Sequence, residues 1–442
     1  IINTGYSNYG ASRSKKSLLG WISRGGSPKE DISDNIKTLR QRSRDLFMGA
    51  PIATSALKTT RTNVIGAGLR LKSQIDGEFL GLTPEETRNL ETQIEREFSL
   101  WAESKNCDVE RINDFYELQQ VAFLSWIMNG DAFVMLPTIK RINEIYDIRI
   151  LLIEADRVCN KNYVSNSETL QEGVETNENG EITYYHICSR HPLATTWDKA
   201  PKWIKVKAYG SKTGRPNILH LMESERIGQR RGVPILAPVI EALKQLSRYT
   251  EAELMAAVVS GMFTVFIESK NTDDGNGSNI NFEDEIDSDD DTTYELGNGA
   301  VVQLGEGETA KEINPGRPNT AFDGFVNAIT RQIGAALEIP KELLTKEFTA
   351  SYSASRAALL EAWKMFRMRR TWMANDFCQP IFVEWMHEAV AKGRIYAPGF
   401  FNNPLIRKAY CNAEWSGPSA GQLDPNKEVD AAIKRIDCRK KR

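Results

Sequence analysis

The sequence is poor in the residues on which simple active-site chemistry depends. Histidine occurs four times in 442 residues, at His186, His191, His220 and His387. These are widely scattered and none has a cysteine at metal-ligand spacing, which excludes the common zinc patterns. The six cysteines, Cys107, Cys159, Cys188, Cys378, Cys411 and Cys438, form no C-x-x-C pair. In a long chain that argues for reduced thiols in a cytosolic setting. No run approaches the roughly 20 apolar residues of a membrane span. The apolar residues Leu18, Leu19 and Trp21, behind Arg13, Lys15 and Lys16, are too few for a secretory signal. Excess charge of either sign is also missing: 56 basic against 59 acidic residues leave a net charge of -3. A general basic clamp for nucleic acid is therefore excluded, and any contact with DNA must be local.

What is present is a long helical stripe. Between Ala350 and Ile395, apolar residues recur at helical spacing through Leu359, Ala362, Phe366, Met373, Phe377, Phe382 and Trp385. As one helix this stretch is about 60 Å long, twice the width of a small domain. The expectation is that a single subunit cannot cover such a rod and that Phe366, Met373, Phe377, Phe382 and Trp385 face a neighbouring copy. Pro380 predicts a kink, and two ordinary helices split there are the alternative. The rod also carries a basic cluster, Arg356, Lys364, Arg367, Arg369 and Arg370. It reads either as a solvated face with ion pairs or as a band facing a polyanion such as DNA.

Composition allows two or three domains with a sizeable core, since 41% of residues are hydrophobic and nine are tryptophan. Residues 1–30 read as a flexible arm. Helices are expected over 31–64, with Pro51 opening a second segment, then from Thr83-Pro84-Glu85-Glu86, a capped start, and from Asn113 or Asp114 to Asn129-Gly130. The period then changes: 131–137, 145–158, 182–189 and 203–209 read as strands. A helix is expected over 232–260, then a strand at 262–269, an acidic solvated loop at 270–293, a strand at 300–305, a turn at 315–318 and a helix over Ala321–Leu337. Helices followed by a sheet make an α+β fold rather than a βαβ repeat. Beyond the rod, 396–418 is turn-rich and aromatic, with Phe400, Phe401, Tyr410 and Trp415 as an exposed interface. A last helix starts at Asp424.

No catalytic apparatus emerges. Gly417-Pro418-Ser419-Ala420-Gly421 fits G-x-S-x-G, but no histidine follows it. His387-Glu388 opens H-E-x-x-H, but Ala391 stands at the second ligand position. Gly10 to Ser17 lacks the glycine before lysine that a phosphate loop requires. The acidic run fails the calcium-loop pattern.

Three stretches together resemble the lambda-type tailed-phage portal proteins: RDLFMGAPIATSALKTTRTNVIGAGL at 44–69, IPKELLTKEFTASYSASRAALLEAWKMFRMRR at 339–370 and NAEWSGPSAGQLDPNKEVDAAIKRI at 412–436. The resemblance implies a structural subunit, without enzymatic activity or cofactor, of a homo-oligomeric ring, typically a dodecamer, at a virion vertex. Double-stranded DNA would pass through its channel. Its partners would be the large terminase, the major capsid or scaffold protein, and head completion or adaptor proteins. On this plan 31–345 is a wing domain, 346–395 the first stem helix, 396–423 a clip at the terminase side, and 424–442 the start of a second stem helix. The tunnel loop and crown of the family would follow and are missing. Lys364, Arg367, Arg369 and Arg370 become channel candidates, and Phe400, Phe401, Tyr410 and Trp415 docking candidates. The alternatives are a metal-dependent DNA-processing enzyme, opposed by the lack of a compact Asp/Glu/His group, and an intracellular coiled-coil scaffold. The latter is opposed by the loss of a strict heptad across Arg369 and Pro380.

Overall fold

The structure, a computed structural model, describes residues 11–12, 15–18, 20–21, 25–195, 200–262, 265–269, 308–312, 321–348 and 351–419. The acidic loop 270–293, the expected strand at 300–305, the turn at 315–318 and the last helix from Asp424 lie outside these residues.

Helices α1 (Ile36–Gly49) and α2 (Pro51–Val64) are separated at Ala50, whose extended backbone precedes Pro51, as the steric limits on a residue before proline require. Strand β1 (Arg70–Ser73) and the short α3 (Gly77–Leu80) follow. Helix α4 (Pro84–Ala102) opens with a reciprocal capping box: the Glu86 amide donates to Thr83 Oγ1 at 3.3 Å and the Thr83 amide donates to Glu86 Oε2 at 2.8 Å. Asp114 and Glu117 repeat the device at the start of α5 (Phe115–Asn129). Gly130 then turns the chain at φ +91°, and a side chain there would collide with the backbone of Gly232. Two strand-like segments can approach this closely only because both positions are glycine.

The sheets are open and antiparallel. Strand β2 (Asp131–Met135) lies between β3 (Leu151–Ile153) and β8 (Ile218–Met222). A second sheet runs in the order β4 (Leu170–Gln171), β5 (Val174–Thr176), β6 (Ile182–Cys188), β7 (Trp203–Lys207). The two share one apolar cluster built on Phe133, Ile153, Val174, Tyr185, Ile187 and Ile218. The strand expected over 145–158 shrinks to three residues, because 155–157 close into a 3₁₀ turn and residues 148 and 150 form only isolated bridges. The helix expected from 232 begins at Ile240, α6 (Ile240–Met262), since Pro234 and Pro238 keep the preceding segment out of the α ladder.

Next come the hairpin β9 (Val265–Ser269) with β10 (Glu308–Glu312), then α7 (Phe322–Ala336) and α8 (Lys341–Thr345). The rod follows as α9 (Tyr352–Met373), a π-helical turn (Ala374–Cys378) and α10 (Gln379–Ala391). Pro380 directly follows the π-helical turn, whose wide geometry gives the ring room. The last elements among the described residues are α11 (Pro404–Tyr410) and β11 (Ala413–Ser416). Strand β11 pairs antiparallel with β1, Leu71 opposite Trp415, so the end of the described chain returns to the strand after α2. The chain forms two compact units: one drawn from residues up to Leu243 and from Arg331 onward, the other Lys244–Thr330.

A buried ionic knot fixes β2. Asp131, fully buried, accepts from Arg40 Nη2 at 3.0 Å, Arg231 Nε at 2.6 Å and the Gly232 amide at 3.2 Å. Burial opposes its charge, yet the two guanidiniums hold its carboxyl far below the usual carboxylate range. Burial also pushes Arg40 down to about 10. Arg231 additionally donates to the carbonyls of Val158 and Ala155, both at 2.8 Å, and of Glu172. One side chain thereby ties β2 to the loops around the second sheet.

Candidate functional site

The rod was the expected centre of function, and its two halves differ. Phe377, Phe382 and Trp385, on the π turn and α10, are fully buried inside the subunit. Phe377 stacks on Phe115 at 5.8 Å, Phe382 meets Phe98 edge-on at 5.6 Å, and Trp385 meets Phe98 at 5.2 Å. Tyr146 tilts against Trp385, and Trp415 from β11 closes the cluster. Met373 and Phe366 are equally covered. The assignment of these five residues to a subunit interface is therefore corrected. A helical stripe shows which face of a helix is buried, and here α4 and α5 of the same chain cover Phe377, Phe382 and Trp385, while α2 lies against α9. Burying each such ring contributes on the order of 1.5–3 kcal/mol. The uncovered part is the N-terminal end of α9, where Ser353, Ala354, Ala357, Leu360 and Glu361 are exposed.

The basic cluster divides as well. Arg369 is buried, with Nε 3.5 Å from Glu223 Oε2 and Nη1 on Met365 Sδ. Arg370 donates to the carbonyls of Val64 (2.9 Å) and Asn63 (2.8 Å), satisfying the end of α2, where a cation is favoured by the helix dipole. Burial, with Arg367 nearby, lowers its pKa. Its guanidinium also lies over the Trp363 ring at 5.4 Å. These two are structural, a correction to their place among the channel candidates. Lys364 and Arg367 are exposed, Lys364 pairing with Glu361 one turn away.

The stretch N-V-I-G-A-G-L is a structural joint. Gln119, buried on α5, accepts from the Leu69 amide at 2.6 Å and donates to the Leu69 carbonyl at 3.1 Å, standing in for a strand neighbour. Gly68, at φ +110°, lies where a Cβ would enter the Tyr116 side chain.

Of the docking candidates, Phe400 and Tyr410 are buried, Trp415 is half-buried and donates through Nε1 to Gln379 Oε1 at 3.0 Å, and Phe401 is 55% exposed. The interface assignment of Phe400 and Tyr410 is corrected, because α11 folds them against α10. Phe401 stands at a cavity of about 610 Å3 that sequence reading missed. It forms where 136–148, the turn at 213–215, α10 and α11 converge, a meeting of distant segments with no local signal. On its wall Arg215 pairs with Glu384 at 2.8 Å, and Lys392 pairs with Asp147 at 2.9 Å and Glu388 at 2.7 Å. Burial raises the Glu384 pKa and lowers that of His387, whose Nδ1 donates to the Val383 carbonyl at 2.7 Å. Arg407 makes no salt bridge or side-chain hydrogen bond among the described residues.

One group of metal-ligand type exists among the described residues: Glu154, Asp156 and His191. Arg44 occupies it, 2.9 Å from both carboxylates. His191 Nδ1 accepts from the Leu193 amide at 3.1 Å, so the proton sits on Nε2, the nitrogen facing the acids, and this arrangement does not fit a metal. Ser419 follows β11, which belongs to a two-stranded antiparallel ladder rather than the parallel sheet of a nucleophile elbow. No helix among the described residues is long and apolar enough to cross a membrane.

Residues are thus committed to holding a rod in a sheet-and-helix body, while the free groups are surface cations, exposed apolar side chains and an open cavity. That is the make-up of a structural subunit that meets partners over surfaces. The family described as phage portal protein, lambda family, matches residues 14–370, and the chain belongs to it. It is accordingly a phage portal subunit, a virion component. It is 25% identical to the portal protein of Escherichia phage N15 over 95% of this chain and 82% of that one. To portal protein B of Escherichia phage lambda it is 24% identical over 90% and 77%. Among solved structures it is similar to a chain in the neck of the native GTA particle computed with C12 symmetry, with a TM-score of 0.47, 12% identity, and coverage of 91% and 89%.

Proposed function

We propose that this subunit assembles with copies of itself into a closed ring, a dodecamer, at one vertex of the capsid, and that double-stranded DNA enters and leaves through the opening on its axis. The ring docks the large terminase during packaging, sits in a shell of major capsid or scaffold protein, and later receives head completion or adaptor proteins. The observation that carries this reading is membership of the portal family over most of the chain, from residue 14 to the basic end of α9. The wing at 31–345, first stem helix at 346–395, clip at 396–423 and second stem helix from 424 describe the parts of this assembly. Lys364 and Arg367 are the cations of the rod turned to DNA, held weakly so that it slides. The subunit has no catalytic activity of its own, and the motor supplies the energy for packaging.

Native mass measurement on the purified chain tests the reading. A single high-mass species at an integral multiple of 49.8 kDa is expected, and a monomer or dimer at all concentrations overturns it. Assays for ATP hydrolysis and for DNA cleavage with divalent metal accompany it; activity that survives purification and disappears in an active-site variant would favour a DNA-processing enzyme.

A further inference from the structure

Two features at opposite ends of the sheet β3-β2-β8 remain without a role. The first is the loop 223–229. Gln229 is buried and spends its side chain on holding this loop: Oε1 accepts from the amides of Glu225 at 2.9 Å and Arg226 at 3.1 Å, while Nε2 donates to the carbonyls of Arg231 at 2.8 Å and Glu223 at 3.3 Å. Arg226 Nη2 fastens the loop to the Gly26 carbonyl at 3.0 Å, and Gly228, at φ +81°, makes the turn. The result is that Ile227 is held fully in solvent, at 102% relative exposure. A preorganised loop with an apolar tip loses little entropy when that tip is buried by a partner. Beside it the exposed Glu225 carboxylate has no salt-bridge partner among the described residues.

The second feature is the cavity beneath Phe401. Its other cations, Arg215 and Lys392, are in salt bridges; Arg407 acts on Glu384 through space but makes no salt bridge among the described residues. Phe401 on its wall is exposed, and Ile142, Ile145 and Leu405 are exposed on the segments that supply Thr138, Asp147 and Arg407. Apolar surroundings about a partly polar hollow are the pattern of a protein contact. The register separates the two features. Ile218, at the cavity end of β8, pairs with Met135 next to cavity-lining Leu136, and Met222, where the loop departs, pairs with Asp131. At about 3.3 Å per residue, the length of β8 lies between them. A closed ring of identical subunits needs such a pair, one projection and one hollow at different places on the same chain.

We propose that Ile227 of one copy seats in the Phe401 cavity of the next, with Glu225 pairing to Arg407. This contact rests on the ring reading above. Its test is the full-length chain carrying Glu225→Arg, Arg407→Glu, or both, with ring fraction read by native mass and subunit folding by thermal melting. Each single charge reversal is expected to lower the ring fraction about tenfold with melting unchanged, and the double reversal to restore it. Should either single variant melt early, a chain bearing Ile227→Cys and Phe401→Cys is treated with a short bismaleimide, and a ladder of covalent multimers is expected. Wild-type rings together with single variants that assemble normally, a double variant no better than the singles, or cross-linking that yields no ladder would overturn the contact while leaving the ring standing. A wild-type chain that forms no ring removes both.

Discussion

Replacing Asp131 by Asn is nearly isosteric and removes one charge from the knot that fixes β2. In the wild type the carboxylate receives Arg40 at 3.0 Å and Arg231 at 2.6 and 3.2 Å, all fully out of water. Asparagine keeps one acceptor oxygen and turns an amide N–H₂ toward guanidinium donors, leaving two buried cations without the carboxylate they touch and only the more distant Asp156 and Glu172 as counter-charges. Breaking one side of a buried ionic group costs about 3–5 kcal/mol. At no more than roughly 2–4 °C per kcal/mol, the value for 150–250 residues, the main melting transition should fall by several degrees. Calorimetry at pH 7 measures this directly. The pH dependence gives a second reading with a definite sign. The folded Asp131 pKa lies below its unfolded value, so the stabilisation is complete above the unfolded pKa of about 3.9 and is lost as pH falls below it. The Asn variant should lack that contribution to the acid slope. A loss under about 1 kcal/mol, or an unchanged acid slope, would refute the argument that the knot holds the sheet.

Other outcomes follow from the division of the rod. Trp385→Ala or Phe377→Ala should cost about 3–5 kcal/mol in denaturant unfolding, whatever the oligomeric state, because each ring packs within its own chain. Leu360→Asp, on the exposed end of α9, should leave the melting temperature within about 1 °C while lowering ring yield; equal ring yield would show that this face is not used. Lys364→Gln with Arg367→Gln should reduce the salt dependence of DNA binding by about two phosphate contacts without affecting folding, as checked by titration at several salt concentrations. Thr83→Ala removes the capping box of α4 and should cost about 1 kcal/mol in urea unfolding.

Local chemistry was well written in the sequence. Thr83-Pro84-Glu85-Glu86 announced α4, Asn113 or Asp114 announced α5 and the structure settles on Asp114, Pro51 divided α1 from α2, and the change of period after Gly130 marked the passage from helices to sheets. The α+β class and the family resemblance rest on such signals. What the sequence could not supply was the partner of each buried face. Phe377, Phe382 and Trp385 signal burial by spacing alone, and nothing near them in sequence points to Phe98 and Phe115, more than 250 residues earlier. Arg369 and Arg370 look like their neighbours Lys364 and Arg367; only the folded chain brings Glu223 to the first and the end of α2 to the second. The burial of much of 396–418 was hidden for a related reason. Aromatic and turn residues at 396–418 read as exposed, but the pairing of β11 with β1 depends on a strand that left the ribosome some 340 residues before it. The Phe401 cavity is assembled from four separated segments and has no sequence motif.

The central claim is that this chain closes into a ring about an open axis. Electron micrographs of the purified protein viewed end-on measure that without reference to any single contact. Round particles of uniform size with a central hole and rotational symmetry are expected. Solitary globules, paired rods or open filaments in the same preparation would contradict it.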